Sequence, residues 1–415
     1  MKILYLVHQF YPEYYTGTEK FVYNTAFMMQ KFGNKVKVIT YSFYNDTFYD
    51  RNFEDILFKQ FTYKGIPVLA FKLQKPPFDL HFGLNNENII KFAENLIETE
   101  KPDVIHIGHP MRVHEFVTSA VKLKIPYILT LTDFFLMCPN AILKASNGDL
   151  CAGPQKGIQC NKLCTEFPEN YIKDRLEKAE FMVANAKGIF SPSKFLASMF
   201  KNEFSEVEVN VINHGLRYDN IKTNNKIYRK NDKNIIFCYA GSLNPHKGVH
   251  IILDAFTKIK NEFIKLKIYG SGEERYVNRL KDIANGDNRI EFCGVFKEEN
   301  IGDVFNSLDV IIVPSIWYEN YPLVLHEALA CNVPTIVSNL GGMAEKIKDG
   351  FNGFTFDTGD YKSLGDKIKL IIDNPEILNE IKENIKKNVV IPTVEQEAYK
   401  YLKVYESLRW ILWIL

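Results

Sequence analysis

The 415-residue chain lacks an excess of either charge, is poor in cysteine and contains no long apolar run. Lys plus Arg total 51 and Asp plus Glu total 50, whereas a nucleic-acid-binding protein normally carries a basic excess. No apolar run approaches the roughly 20 residues that a membrane-spanning helix needs. Seven cysteines are an odd number and sparse for this length, which argues against a disulfide framework. Together these absences predict a globular protein of the reducing cytoplasm.

The length exceeds what one hydrophobic core usually serves and predicts two domains of about 200 residues each. Short apolar runs alternate with helical patterns, as in parallel βαβ units. We expect strands at 3–7, 36–41, 103–107, 126–131, 209–212, 235–240, 264–269, 309–313 and 333–338, and helices at 18–32, 87–100, 170–184, 375–388 and 395–412. The polar, Asn- and Lys-rich stretch 221–234 is typical of a linker.

The predicted fold class is therefore α/β, with two Rossmann-like parallel-sheet domains that face each other across a cleft. We expect an N-terminal, acceptor-side domain over residues 1–215 and a C-terminal, ligand-binding domain over 216–388. A closing helix within 389–415 is expected to return to the first domain.

The loop Gly241–Gly248 follows the strand at 235–240 and leads into a helical pattern. Open parallel sheets bind ligands at the carboxyl ends of their strands, so this loop is well placed. Glycines, a cation and a helix start together favour an anion site, because backbone amides point outward and Lys247 neutralises charge. A solvated lysine beside a tight turn is the alternative.

A second candidate anion site follows the strand at 309–313. Pro322 suits the first position of a helix, where its missing N–H is no loss. The helix start would then present backbone amides to a ligand, those of Asn320, Tyr321 and Leu323. Glu327 would lie about 7–8 Å along the helix, roughly the separation of a ribose from its phosphates. Glu319 would face the group beyond the phosphates; helix capping and a surface salt bridge are the alternatives for the two glutamates.

This spacing of Glu319 and Glu327, followed by Ala328–Pro334, resembles the paired-glutamate motif of the family 4 retaining glycosyltransferases. These belong to the glycosyl transferases group 1 and have the two-Rossmann architecture known as GT-B. Further motifs occur in the same order: Gly241-Ser242-Leu243 with Lys247-Gly248, Gly270-Ser271-Gly272, Phe292–Val295 and Gly341–Glu345. The similarity covers roughly residues 10–360, and its specific part is 235–345.

The resemblance implies a nucleotide-diphosphate sugar donor, UDP- or GDP-linked, bound by the C-terminal domain. It assigns the diphosphate to Lys247 beside Gly241 and Ser242, the ribose to Glu327, the sugar and phosphates to Glu319 with the amides at 320–323, and the base to Gly294 and Val295. Ser242 stands where many members have Arg, and Asn320 where they have a small Gly. In the first half, Gly17 should let backbone approach the donor phosphates or the acceptor. The family often has a functional histidine just after the strand at 103–107, at the position that aligns with Gly108. His109 would be that histidine if the alignment is shifted by one residue; a structural histidine is the alternative.

The sequence contains no Asp-X-Asp motif, and we expect no metal and no cofactor. Charge on the leaving diphosphate would then be stabilised by Lys247 and helix-start amides. The resemblance implies sugar transfer with retention to a glycan or lipid-linked acceptor, in cell-surface polysaccharide or glycolipid synthesis. A GT-B epimerase, a phosphorylase and a non-catalytic sugar-binding protein remain alternatives, and the base, sugar, acceptor, linkage and oligomeric state stay open.

Two further features have more than one interpretation. The segment 41–63 holds nine Phe or Tyr, and the chain closes on the apolar run Trp410–Leu415. Both could touch the inner face of a membrane that carries the acceptor, although plain packing is commoner. Four cysteines lie in one loop region, Cys138, Cys151, Cys160 and Cys164. The last two are spaced like a zinc half-site, with free thiols or a local disulfide as the alternatives.

Overall fold

A computed structural model describes residues 1–84 and 86–414, with side chains described as far as residue 409. Its internal contacts divide the chain into two units. The first unit comprises Met1–Gly215 together with the residues from Val394 onward, and the second comprises Leu216–Thr393. Each unit is an α/β structure on a largely parallel sheet of its own, which confirms the predicted fold class of two Rossmann-like domains.

The first unit is built, over the described residues, on nine strands: β1 (Lys2–Val7), β2 (Lys35–Tyr41), β3 (Arg51–Phe53), β4 (Ile56–Tyr63), β5 (Ile66–Leu73), β6 (Val104–Ile107), β7 (Tyr127–Thr130), β8 (Ile189–Ser191) and β9 (Val209–Val211). Their order is β3-β4-β5-β2-β1-β6-β7-β8-β9, and β4 alone runs antiparallel to the other strands. The helices are α1 (Gly17–Lys31), α2 (Ile90–Glu100), α3 (Glu115–Lys122), α4 (Ile158–Leu163), α5 (Glu169–Asn185) and α6 (Lys194–Glu203). Ile3–Val7 is buried throughout because a central parallel strand is covered on both faces.

The aromatic segment 41–63 mainly forms sheet structure that the sequence patterns missed. It contributes β3, which pairs antiparallel with β4, and β4, which pairs antiparallel with β5. Its rings pack largely within the unit: Tyr44 stacks on Phe48 at 4.0 Å, and Phe58 lies 5.3 Å from Phe92 of α2. Ring packing therefore accounts for most of this segment.

The second unit contains, as far as it is described, a six-stranded parallel sheet: β10 (Ile235–Ala240), β11 (Ile264–Tyr269), β12 (Ile290–Gly294), β13 (Val310–Val313), β14 (Thr335–Ser338) and β15 (Phe354–Phe356). The strand order is β12-β11-β10-β13-β14-β15. The helices are α7 (Val249–Phe256), α8 (Glu274–Ala284), α9 (Ile301–Asn306), α10 (Leu323–Ala330), α11 (Gly341–Lys346), α12 (Tyr361–Asp373) and α13 (Ile377–Asn388). The apolar strands and the inner helix faces form one continuous core.

Residues 221–234, interpreted as a linker from their composition, are instead anchored on the second unit. Tyr228 is buried, and its hydroxyl donates to Asp309 Oδ1 at 2.8 Å. The buried Asn224 donates to the backbone oxygen of Leu308 at 3.0 Å. Polar composition misled the prediction because here the polar side chains are the attachment points.

The last helix, α14 (Val394–Ile414), packs on α1 in the first unit. Its Tyr405 hydroxyl lies 2.6 Å from His106 Nδ1, and its Tyr401 hydroxyl lies 2.9 Å from Thr130 Oγ1. Burial lowers the pKa of His106 to about 3, so this histidine is a neutral part of the core. None of the helices, over the described part of the chain, is long and apolar enough to cross a membrane. The side chains of Trp410–Leu415 lie outside the described residues.

Candidate active site

The candidate site of the second unit lies at the carboxyl edge of its sheet. β10 lies between β11 and β13 in the strand order, so the loops that leave these three strands are neighbours. The loop after β10 contains a 3₁₀ turn, Pro245–Lys247, followed by Gly248 in the left-handed conformation. The backbone N–H of Ile316, after β13, donates to His246 O at 2.9 Å and joins the two loops.

An ion pair between these loops is the centre of the site. Lys247 Nζ lies 2.7 Å from Glu319 Oε1. The same oxygen accepts hydrogen bonds from Ser315 Oγ at 2.7 Å and from Trp317 Nε1 at 2.9 Å. The ammonium group also lies 5.0 Å from the centre of the Trp317 ring. All three donors meet at Oε1. Among the residues that the structure describes, none donates to Oε2, so this oxygen can accept a hydrogen bond from a ligand hydroxyl.

The surroundings keep Glu319 ionised. Its side chain is buried, and burial by itself would raise the pKa of the carboxyl. The charge of Lys247 and the donors on Lys247, Ser315 and Trp317 outweigh that effect and lower the pKa below its ordinary value. At neutral pH Glu319 is therefore a carboxylate that can only accept hydrogen bonds.

Glycines allow the loops to approach this closely. Gly248 has a φ of +74°, and a Cβ there would lie 2.0 Å from the backbone oxygen of Pro314. A Cβ on Gly342 would lie 2.2 Å from the backbone oxygen of Asn320. The loop after β13 is thus held between the loops after β10 and β14, which fixes Glu319 opposite Lys247.

We expect Gly248→Ala to lower the free energy of unfolding by about 2–4 kcal/mol, since a new methyl group meets backbone that cannot move away. Gly286→Ala is the matched control, because Gly286 has a φ of +69° but nothing within 4 Å of its Cβ position. Gly286→Ala should lower the free energy of unfolding only by the cost of placing alanine in a left-handed conformation, about 1–2 kcal/mol. Urea unfolding measures both variants, and equal losses would contradict the proposed loop contact.

The helix start after Glu319 differs from the prediction by one residue. α10 begins at Leu323, and Pro322 is its N-cap with an extended ψ of 108°. Glu327 lies on α10 one turn after Leu323 and is half-buried. The Tyr321 ring stacks on His326 at 3.5 Å, which holds the chain across the first turn.

Residues 220–388, which contain this whole arrangement, match the family model described as glycosyl transferases group 1. The match lies within the second unit, which therefore resembles this family. Family 4 within the group stays a prediction.

Relatives and solved structures show further similarities to glycosyltransferases. The chain is 27% identical over 328 residues to an uncharacterised glycosyltransferase of Methanocaldococcus jannaschii, covering 77% of this chain and 80% of that protein. It is 27% identical to the lipopolysaccharide 1,2-N-acetylglucosaminetransferase of Salmonella typhimurium over 41% of this chain and 49% of that one. The Anabaena HepE crystal structure in complex with UDP and glucose superposes with a TM-score of 0.70 at 18% identity, over 98% of this chain and all of HepE. This likeness shows the GT-B fold.

The remaining predicted donor residues of the second unit lie in loops at the same edge of the sheet. Gly241 and Ser242 follow β10, and Ser242 O accepts the Tyr239 hydroxyl at 2.7 Å. Gly294 ends β12 with a φ of +69°, and the Val295 side chain after it is 73% exposed, open to a flat ligand. Asn320 is buried between Glu319 and the first turn of α10.

Gly17 and His109 belong to the first unit, which the family model does not cover. Gly17 is the exposed first residue of α1. His109 follows β6 and is 2% exposed. Its Nδ1 accepts the Met111 N–H at 3.2 Å, so its Nε2 carries the proton and donates to Asp133 at 2.8 Å. Both ring nitrogens are therefore engaged within the unit, and the ring holds the loop after β6 in place.

Some partners were not singled out from the sequence. Ser315 and Trp317 precede Glu319 by four and two residues in the loop after β13, but only the structure shows that both donate to it. This short spacing is the sequence signal that could have indicated the two donors.

The cysteine cluster does not form the zinc half-site that was one interpretation. Cys138, Cys151, Cys160 and Cys164 are free and buried. No group of three or more His, Cys, Asp or Glu among the described residues is arranged to hold a metal ion. Burial raises the pKa of Cys160 to about 12, so it is a protonated thiol.

Proposed function

We propose that the chain transfers a sugar, with retention, from a nucleotide-diphosphate donor to a glycan or lipid-linked acceptor. The observation that carries the proposal is the Lys247–Glu319 pair before α10, within a group 1 domain. A cation and a buried carboxylate at a helix start can bind the two ends of a sugar diphosphate: the phosphates on one side and sugar hydroxyls on the other. HepE holds UDP and glucose on the same fold, so UDP-linked sugars are the first donors to test.

Each residue has a definite part in this proposal. Lys247 and the amides at the start of α10 bind the diphosphate and stabilise its charge as it leaves. Glu319 orients Lys247 through Oε1 and accepts a sugar hydroxyl at Oε2. Glu327, one turn into the helix, accepts the ribose hydroxyls, and Val295 lies against the base.

Retention follows if the acceptor attacks from the face that the phosphate leaves. The acceptor oxygen forms a bond to the anomeric carbon while the bond from that carbon to the phosphate oxygen breaks. The hydroxyl proton passes to the leaving phosphate oxygen, so no carboxylate nucleophile is needed. Glu319 cannot act as the acid, because its pKa is lowered and it holds no proton at neutral pH.

The test is turnover of UDP-, GDP- and ADP-sugars, with the anomeric configuration of the product read by NMR. Transfer with the donor's configuration is expected. An inverted product would refute retention, and an epimerised donor or phosphorolysis would assign another GT-B activity. Binding without any turnover would leave a sugar-binding protein.

We further expect full transfer activity after exhaustive EDTA treatment, since Lys247 and backbone amides supply the positive charge that the diphosphate needs. A transferase that requires a divalent ion, assayed in parallel, is the control for effective chelation. Loss of transfer that Mg²⁺ or Mn²⁺ restores would refute the metal-independent mechanism.

We propose cell-surface polysaccharide or glycolipid synthesis as the setting. The Salmonella relative named for lipopolysaccharide transfer supports this assignment. A lipid-linked acceptor would bring the reaction to the inner face of the membrane. Flotation with anionic liposomes tests that contact, and absence from the floated fraction would refute it.

A further inference from the structure

The first unit contains a buried arginine without a polar partner. Arg112 lies in the loop after β6 and is 5% exposed. Over the described residues its guanidinium makes no hydrogen bond and no ion pair, and its Nε is buried unpaired. Burying a charged group without a hydrogen-bonded partner is unfavourable, and Arg112 Nε has lost its hydration without gaining such a partner.

The guanidinium lies where a sheet of this type binds ligands. It is 4.9 Å from the centre of the Phe43 ring and 5.9 Å from that of Tyr41. These rings lie at and after the end of β2, whereas Arg112 follows β6, and β1 separates the two strands in the sheet. The side chain therefore reaches across the carboxyl end of β1, the edge at which open parallel sheets hold their ligands.

The backbone is fixed in the conformation that aims this side chain. Arg112 has a φ of +64°, a left-handed conformation that residues with a Cβ adopt only at a cost. The preceding turn is held by the hydrogen bond from Met111 N–H to His109 Nδ1. His109 is in turn held by Asp133. The arginine is thus pre-positioned before any ligand arrives.

Two carboxylates lie in the same region, but each binds other groups. Glu13 accepts the Phe43 N–H at 3.2 Å with both oxygens. Glu19 Oε2 accepts the N–H and the hydroxyl of Thr16 at 2.6 Å, while its Oε1 is buried without a hydrogen-bond partner, 3.6 Å from His8 Nε2. Burial lowers the pKa of Arg112 to about 10, an effect that nearby tyrosines and these glutamates oppose. The guanidinium is therefore charged at neutral pH.

Aromatic side chains extend from the arginine toward solvent. Phe43 is 39% exposed and its ring contacts Tyr14 at 6.2 Å and His81 at 5.7 Å. Phe82, 37% exposed, lies 6.3 Å from His81. Apolar rings beside one well-placed charge are the usual composition of a small-molecule site.

We propose that Arg112 binds an oxyanion of the acceptor, a carboxylate or a phosphate ester, while Phe43 packs against the sugar ring that carries it. The planar guanidinium presents paired N–H groups that match two oxygens of either anion. This inference rests on the proposed function in calling the ligand an acceptor, but the anion site itself does not depend on sugar transfer. If the site exists, the first unit selects acceptors by their negative charge.

Three probes with the same ring separate the possibilities: glucose, glucuronate and glucose 6-phosphate. Binding to the full chain is measured by ligand-observed NMR titration. We expect glucuronate, glucose 6-phosphate or both to bind about tenfold or more tightly than glucose, because a charge-assisted bidentate contact is gained. Which anion binds more tightly identifies the carboxylate or the phosphate as the natural group.

Arg112→Met keeps an unbranched apolar stem and removes the charged group. We expect it to abolish the preference for anionic sugars while UDP-glucose binding is unchanged. Its unliganded melting temperature should not fall, since no hydrogen bond or ion pair is lost in the variant and the apolar stem can still pack on the rings. Arg112→Lys keeps the charge without the planar fork and should retain part of the preference.

Two results would overturn the inference: equal affinity for glucose and both anions, or a preference that persists in Arg112→Met. A drop in melting temperature together with loss of UDP-glucose binding in both variants would make Arg112 structural and would equally refute it. These outcomes leave donor turnover by the unaltered chain intact. Failure of the proposed function is a different result, in which no nucleotide sugar turns over while the Arg112-dependent preference remains.

Discussion

Lys247→Ala is expected to reduce sugar transfer about a hundredfold or more, because the leaving diphosphate loses a preorganised positive charge. Ser242 stands where many members of the resembled family have Arg, so the described loop has no second cation at that position. The loss should fall mainly on kcat, since charge on the leaving group is greatest in the transition state. Steady-state kinetics on the purified variant measure it.

The exposed pair Lys387–Glu383 on α13 of the same unit provides the matched control. Its groups lie 3.4 Å apart with side chains 69% and 60% exposed. Lys387→Ala removes an equal charge outside the loops of the proposed site and should leave turnover unchanged. Near-normal turnover of Lys247→Ala would remove Lys247 from the catalytic machinery, whereas equal losses in both variants would indicate a non-specific effect of charge.

Glu319→Gln should be comparably damaging to transfer, about a hundredfold, for a related reason. The amide is similar in shape, but it cannot hold Lys247 by charge, and its N–H₂ meets donors if it faces Ser315 and Trp317. Glu383→Gln is the control, with unchanged turnover. In the double variant Lys247→Ala/Glu319→Gln the losses should be clearly less than additive, because the two residues act as one unit. Fully additive losses would contradict the pair.

The same substitution has a pH signature in stability. The pKa of Glu319 is lower in the folded chain than its ordinary value of 4.5, so the unfolded state binds the extra proton as the pH falls. The carboxylate therefore stabilises the fold above about pH 4.5, and this contribution is lost as the pH falls through the lower folded value. The stability difference between the original chain and Glu319→Gln should follow that window, and a difference independent of pH would contradict it.

The central strands were predictable because their apolar runs are long enough to be buried on both faces. The expected strands at 235–240 and 264–269 match β10 and β11 to the residue. The antiparallel strands β3 and β4 were missed, since alternate residues are half exposed and the period was obscured by aromatics on both faces. Short strands such as β8 carry only three residues and give almost no pattern.

The candidate site was predictable where its chemistry follows one stretch of chain. Glu319 and Glu327 were found from their spacing around a helix start, although Pro322 is the cap rather than the first helical residue. Contacts between distant loops could not be predicted, because no sequence pattern indicates that Lys247 pairs with Glu319 or that Arg112 packs on Phe43. Composition also misled at 221–234, where polar residues are anchors.

The position of α14 in the chain has a consequence for biosynthesis. A ribosome finishes the whole second unit before it makes this helix, and domains generally fold as units in the order of their synthesis. Until then His214 lacks the contact with Glu397 at 2.8 Å, and His106 lacks the contact with Tyr405. The nascent first unit therefore lacks these two buried contacts throughout the synthesis of the second unit. Premature termination within α14 would release a polypeptide whose earliest-made part is the one left incomplete.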